Sequence, residues 1–308
     1  MKKTFLLISL LCLTLLFPAA AFAQKDTIRL GVPPWPGVTV KTEVATQILE
    51  AMGYETQQLE IGPPIIYKGL TTGEIDAYLA AWLPQQTDMF EPLKEKGAID
   101  VININLDDAM TGFAVPTYVW EAGIHSVADL APNADKFDST LHTIEVGSGM
   151  HTTTEEMVKN DVASLGDWEL ASSTTPAMLT EVNEKTKSKE WVVFHAWKPH
   201  WMTIKIDMKF LEGVPGSEDL ISESVVYNVA SPDFQERFPQ ARKFLEKFYV
   251  SGDTQSAWIH SFSYEKKDPE DVAREWIANN METVSQWLDG VETTDGRPAI
   301  DAVKNAVK

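Results

Sequence analysis

The sequence predicts an α/β protein of two lobes, each a mixed, mostly parallel sheet flanked by helices. Three observations carry this expectation. Strand and helix patterns alternate from residue 27 to residue 83, they alternate again over residues 126–196, and apolar runs in both stretches stop at a tryptophan with proline close behind. Strands alternating with helical segments are the signature of parallel sheets, and 308 residues suffice for two lobes with adequate cores.

Taken in order, residues 27–32 read as a first strand, and Pro33-Pro34-Trp35-Pro36-Gly37 as a turn. Thr39 is the expected cap of a helix whose Val40, Val44, Ile48, Leu49 and Met52 share one face before Gly53. Residues 54–61 alternate like a second strand, Gly62-Pro63-Pro64 breaks it, and a short helix runs to Thr72. A third strand over 75–81 stops at Trp82-Leu83-Pro84, and Glu74 with Asp76 at its entry reads as a solvated turn. A helix over 85–96 precedes two short strands, 101–104 and 111–116. In the second unit, residues 143–146 read as a strand and Gly147-Ser148-Gly149 as a sharp turn. Thr152 with Glu155 forms a capping box for a helix to Leu165. Leu170 lies in a further strand, residues 175–187 are helical, and residues 191–196 form an apolar strand that runs into Trp197-Lys198-Pro199. Beyond residue 213 come a strand over 225–230 and a helix capped by Asp268, with Pro269 first and one apolar face from Ala273 to Leu288.

The bulk properties narrow the function. Lys2 and Lys3, the apolar run 5–17 and Ala21-Phe22-Ala23 have the layout of a secretory signal over residues 1–23, which starts the mature chain near Gln24 in a bacterial periplasm. The single cysteine, Cys12, falls inside that signal, so the mature chain needs no disulfide. A formal charge of -19 argues against nucleic acid and anionic membrane surfaces as partners.

The candidate site follows from the strand ends. Residues just past the carboxyl ends of strands in open α/β sheets are where ligands bind, and Trp35, Trp82 and Trp197 all fall there. If the lobes face each other, three indoles converge on one volume. A cation within about 6 Å of an indole face gains about 0.5 to 2 kcal/mol, and quaternary ammonium groups gain most because they are cheap to desolvate. Sugars or nucleobases stacking on the same rings are the competing ligands, disfavoured because the polar side chains they need are not evident. Backbone amides at the glycine turn, over Ser148, Gly149, Met150 and His151, suit a carboxylate. Together these features predict a zwitterion with a methylated ammonium at one end. Trp191 reads as core, Trp201 as packing or rim, and Trp276 and Trp287 as core. Among His125, His142, His151, His195, His200 and His260 no pair has metal-ligand spacing, and neither a G-x-S-x-G elbow nor a mature cysteine nucleophile is present. No catalytic residue, metal or cofactor is expected; the alternative of a secreted hydrolase of a methylated amine or choline ester would need such a site.

The blocks "LGVPPWPG", "GLTTGEIDAYLAAWLP", "VGSGMHTTTEEM" and "HAWKPHWM" resemble the substrate-binding proteins of glycine betaine, proline betaine and choline ABC transporters, over nearly the whole mature chain. The resemblance implies a type II periplasmic binding protein, a monomer whose lobes are joined by a hinge of two crossing strands. Lobe I would comprise residues 24–112 and 213–308, lobe II residues 113–212, with the hinge near 113–116 and 211–215. It further implies that Trp35, Trp82 and Trp197 form the ligand cage, and that an ABC transporter permease in the inner membrane receives the closed form. Glycine betaine is the expected ligand, with choline, carnitine, proline betaine and trimethylamine N-oxide as alternatives. Choline-preferring members carry an acidic residue where this chain has Gly37 and an aromatic near the position of Thr111, which leaves a fourth wall to Phe113, Tyr118 or Trp120.

Overall fold

The computed structural model describes residues 27–307, so the signal over residues 1–23, with Cys12, and the start at Gln24 lie outside the described residues. Nine strands occur in it: β1 (Thr27–Val32), β2 (Glu55–Glu60), β3 (Ala77–Leu83), β4 (Asp100–Pro116), β5 (Thr140–Thr143), β6 (Glu169–Ser172), β7 (Phe194–Lys198), β8 (Met208–Phe210) and β9 (Ser222–Ala230). The helices that matter for the site are α1 (Pro36–Ala51), α2 (Pro63–Thr72), α3 (Thr87–Glu95), α4 (Thr117–Glu121), α5 (Gly149–Lys159), α6 (Thr175–Ser188) and α7 (Met202–Lys205). A C-terminal helical layer follows: α8 (Phe234–Arg237), α9 (Pro239–Lys247), α10 (Gly252–Ile259), α11 (Pro269–Asn279), α12 (Met281–Trp287) and α13 (Ala299–Ala306).

The strands make one sheet in the order β2-β1-β3-β9-β4-β7-β5-β6, with β8 alongside β4. β2, β1 and β3 are mutually parallel, as are β6, β5 and β7. Between the two parallel groups lie the antiparallel β9 and β4. β4 is the common member: its first part pairs with β9, its last part with β7 and β8, and Met110 and Thr111 pair with both β9 and β7. The sheet therefore changes partners at Met110 and Thr111. One apolar core, around Ile28, Val44, Leu79, Phe244 and Trp287, packs α1 and the C-terminal helices against the N-terminal strands. A second runs from Ile66 and Tyr78 through Phe113 to Phe194 and so continues under both parallel groups.

Several sequence expectations shift. The first helix starts at Pro36, not Thr39, because proline at the first helical position has no N–H to lose and a φ already suited to the helix. Residues 101–104 and 111–116 are one strand. The gap between them is absorbed by register shifts around Leu106 and Ala109, with Asp107 accepting from the Tyr249 hydroxyl at 2.8 Å and Asp108 from the Gly252 amide at 3.2 Å. β5 ends at Thr143, where residues 143–146 read as strand, and β7 begins at Phe194, which leaves Trp191 outside it. α5 begins at Gly149 with Ser148 as its cap, so Thr152 lies inside the helix rather than capping it, and the helix stops at Lys159. The apolar face from Ala273 to Leu288 is shared by two helices that break at Asn280. Asp76 is not solvated: it is fully buried, and Arg29 (2.8 Å) and Arg237 (2.6 Å) both pair with it.

Candidate functional site

Three tryptophans reach one cavity from three different elements. Trp35 sits at the cap position of α1, Trp82 near the end of β3 and Trp197 near the end of β7. In the last two cases the next proline, Pro84 or Pro199, follows a cis peptide bond. The cavity holds about 490 Å³ not filled by protein atoms, part of it open to solvent. Gly37, Val38, Gln85, Gln86, Thr111 and Ile144 complete it with Ser148, Gly149, Met150 and Gln255. None of these lining residues is ionisable, but the Glu145 carboxyl is bonded to one of them, Trp35.

Each indole is held. The Trp35 Nε1–H donates to the Glu145 carboxylate across the gap between the two parallel strand groups. Burial holds the Glu145 carboxyl above the usual carboxylate range, although the bond from Trp35 opposes this. Trp82 is fixed in the sheet opposite Val226. Trp197 packs edge-on against the His200 ring, with centroids 5.0 Å apart, and His200 Nδ1 accepts from the Met202 amide at 3.1 Å. Full burial depresses the His200 pKa to about 3, which keeps that ring neutral.

The polar walls are mostly spent on the protein itself. Gln85 Nε2 donates to Thr111 Oγ1 (2.7 Å) and Ser222 Oγ (3.1 Å), and its Oε1 accepts from Ser224 (3.2 Å). Thr111 in turn donates to the Leu220 carbonyl at 2.5 Å. Gln86 accepts from the Tyr67 hydroxyl at 2.9 Å and donates to the Ala80 carbonyl at 3.2 Å. Polar side chains thus do stand beside the rings, against the sequence reading, but these two amides are turned to the protein.

The glycine turn is built differently. Ser148 donates through Oγ to the Glu145 carbonyl at 2.8 Å and accepts from the His151 amide at 3.2 Å. The amides of Ser148, His151 and Thr152 are therefore committed, while those of Gly149 and Met150 have no acceptor among the described residues. They are the exposed N–H groups that a helix N-terminus offers an anion. A buried chain of bonds holds them in place. The Ile144 amide donates to His195 Nδ1 (3.2 Å), which puts the ring proton on Nε2 to donate to Thr154 Oγ1 (2.8 Å), and Thr154 donates to the Met150 carbonyl (2.8 Å). Burial lowers the His195 pKa to about 3, so this neutral arrangement persists across the physiological range.

Six of the seven residues expected from the sequence, Trp35, Trp82, Trp197, Ser148, Gly149 and Met150, line the cavity. His151 does not: its Nδ1 meets Thr143 Oγ1 at 3.1 Å and its Nε2 lies 3.8 Å from Glu155, so the ring faces away. Nor is the fourth wall Phe113, Tyr118 or Trp120. Phe113 stacks on His195, Tyr118 donates to the Glu190 carbonyl and Trp120 packs on His125. Met150, Thr111 and the glutamines line the cavity with the three tryptophans instead. Gln85 and Gln86 were within reach of sequence reasoning, since they directly follow Trp82-Leu83-Pro84. Gln255 was not, since a glutamine within a helix gives no such signal.

Residues 26–279 match the family described as the substrate binding domain of ABC-type glycine betaine transport system. The chain belongs to this family. It is 30% identical over 165 residues to the glycine betaine/carnitine transport binding protein GbuC of Listeria monocytogenes, and spans about half the length of that relative. An ABC-transporter choline binding protein in complex with choline superposes with a TM-score of 0.88 at 28% identity, covering 92% of this chain and 98% of that one. Lactococcal OpuAC, closed and complexed with glycine betaine, superposes at 0.77 with 25% identity, covering 85% and 99%. The fold is that of the type II periplasmic binding proteins. Members of this family are extracytoplasmic transport binding proteins, not enzymes; they take up a small ligand and interact with a permease. Among the described residues no helix is long and apolar enough to cross a membrane.

Proposed function

We propose that this protein captures glycine betaine, or a closely similar quaternary ammonium zwitterion, between its two lobes and delivers it to the permease of an ABC importer. The observation that carries the reading is that Trp35, Trp82 and Trp197 line one cavity, without ionisable lining residues, together with Gly149 and Met150, whose amides have no acceptor among the described residues. The indoles take the trimethylammonium group and the two amides take the carboxylate. A cavity without ionisable walls favours a ligand of no net charge, because an unpaired charge is costly to bury. The lobes meet at Met110 and Thr111 of β4 and the adjoining start of β9, and residues 113–212 swing as the second lobe. Closure is a population shift driven by a ligand that touches both lobes. The mature protein is a periplasmic monomer released from its signal near Gln24, and it catalyses no reaction on its ligand.

Choline is the second reading, favoured by the likeness to a choline-bound protein. A calorimetric panel of glycine betaine, proline betaine, choline, carnitine and trimethylamine N-oxide against the purified mature protein separates the two. Glycine betaine is expected to bind at micromolar concentration or below. If no member of the panel does so, the cage reading is wrong.

A further inference from the structure

Gln255 is the one cavity-lining residue with a buried side-chain polar atom that lacks a partner. It lies on α10, is 3% exposed, and its Oε1 meets no hydrogen-bond donor among the described residues. The other polar side chains around the cavity, Gln85, Gln86, Thr111 and Ser148, are satisfied within the protein. The orphan atom is an acceptor, which a carboxylate cannot satisfy; an unpaired buried amide is costly, and exchanging its two ends puts an N–H at that position for an acceptor that arrives with the ligand. Gly37 makes the placement possible. A Cβ at position 37 would come 2.8 Å from Gln255 Nε2 and 3.3 Å from its Cδ, so any side chain there would displace the amide. Position 37 is two residues from Trp35, so the amide lies beside the cage on the N-terminal lobe, and the Gly149 and Met150 amides belong to the other.

We propose that Gln255 is a specificity-determining residue that binds the polar end of the ligand and, as a neutral group, selects zwitterions over cations. The inference rests on the reading of the ligand as a quaternary ammonium compound. A half-turn about the Cγ–Cδ bond exchanges Oε1 and Nε2, so the side chain can present N–H to a carboxylate. A glutamate in its place offers only acceptors; it repels a carboxylate and attracts a net cation.

The test is isothermal titration of glycine betaine and choline into the wild type, Gln255→Glu, Gln255→Leu and Gly37→Ala, with thermal melts to establish folding. The wild type is expected to prefer glycine betaine. Gln255→Glu should move the affinity ratio toward choline by about tenfold or more. Gln255→Leu and Gly37→Ala should both weaken glycine betaine by about fivefold or more while changing choline less. Ratios constant within about twofold in folded variants would reduce Gln255 to a packing residue, as would a wild type that prefers choline. A wild type that binds neither ligand overturns the functional reading and this inference together. If the Gln255 variants do not fold, Gly37→Ala decides alone.

Discussion

A tryptophan that lines a cavity and one that fills a core lose different things on truncation. Trp287 is 4% exposed, belongs to the core around the N-terminal strands, and packs on Phe248 at 4.7 Å between centroids and on Trp276 at 5.4 Å. Trp197 is nearly as covered at 8%, yet part of its surface faces the cavity. Burial alone cannot tell the two apart; what lies beside the ring can. Trp287→Ala should cost about 3 to 5 kcal/mol of stability and leave the affinity of the remaining folded protein unchanged. Trp197→Ala should weaken glycine betaine by more than about tenfold, through loss of a cage wall, while destabilising the fold less. Urea unfolding and calorimetry on the two variants check this, and equal profiles would erase the distinction between cage and core.

The start of α5 shows how an element delivers backbone groups to a site. A Cβ on Gly149 would lie 2.2 Å from the Gln85 carbonyl oxygen and 2.7 Å from its carbon, so only glycine lets the helix approach the chain after β3 this closely. Gly147, at φ 85°, turns the preceding loop onto Pro64. Both contacts run from the second parallel strand group to the first. Gly149→Ala is therefore expected to hold the two apart, at an overpacking cost of about 1 to 3 kcal/mol. If that cost falls on the closed form alone, ligand affinity drops by roughly 5- to 150-fold with little change in melting temperature. Small-angle scattering should then show a larger radius of gyration at saturating glycine betaine than in the wild type; unchanged affinity and radius would sink the idea. The sequence reveals the glycine turn here but not its cap. The S/T-x-x-E pattern points to Thr152 and Glu155, whereas the helix starts a turn earlier, where the Ser148 hydroxyl accepts from the His151 amide and so caps it.

Across the whole molecule, what was legible depended on local grammar. Trp35, Trp82 and Trp197 could be found because each stands at a strand end with proline nearby. Gln255 could not, because only the packing of α10 on the start of α1 makes it a wall. Lys41 is a similar case with a global consequence. Its neighbours Val40 and Val44 mark the buried face of α1, and the lysine beside them is itself only 1% exposed. Its Nζ donates to Asn105 Oδ1 at 2.5 Å; Asn105 donates to Asn228 Oδ1 at 2.7 Å and the Leu79 carbonyl at 3.0 Å; Asn228 donates to Asn103 Oδ1 at 2.8 Å. This network ties α1 to β3, β4 and β9, so the titration of Lys41 bears on global unfolding. Burial lowers its pKa from 10.5 to about 7. Between those values the unfolded chain holds the proton and the folded chain has lost it, so stability rises with pH through that window. The contribution is complete above 10.5 and disappears as pH falls through about 7. Tyr67 and Tyr78, whose pKa values burial raises, act in the opposite sense once unfolded tyrosine ionises near pH 10. Urea unfolding of the wild type against Lys41→Met, from about pH 7 to about pH 9.5, isolates the lysine because the tyrosine contribution is common to both. The wild type should gain on the order of a few kcal/mol relative to the variant across that range; parallel pH profiles would show that Lys41 keeps its proton in the folded protein.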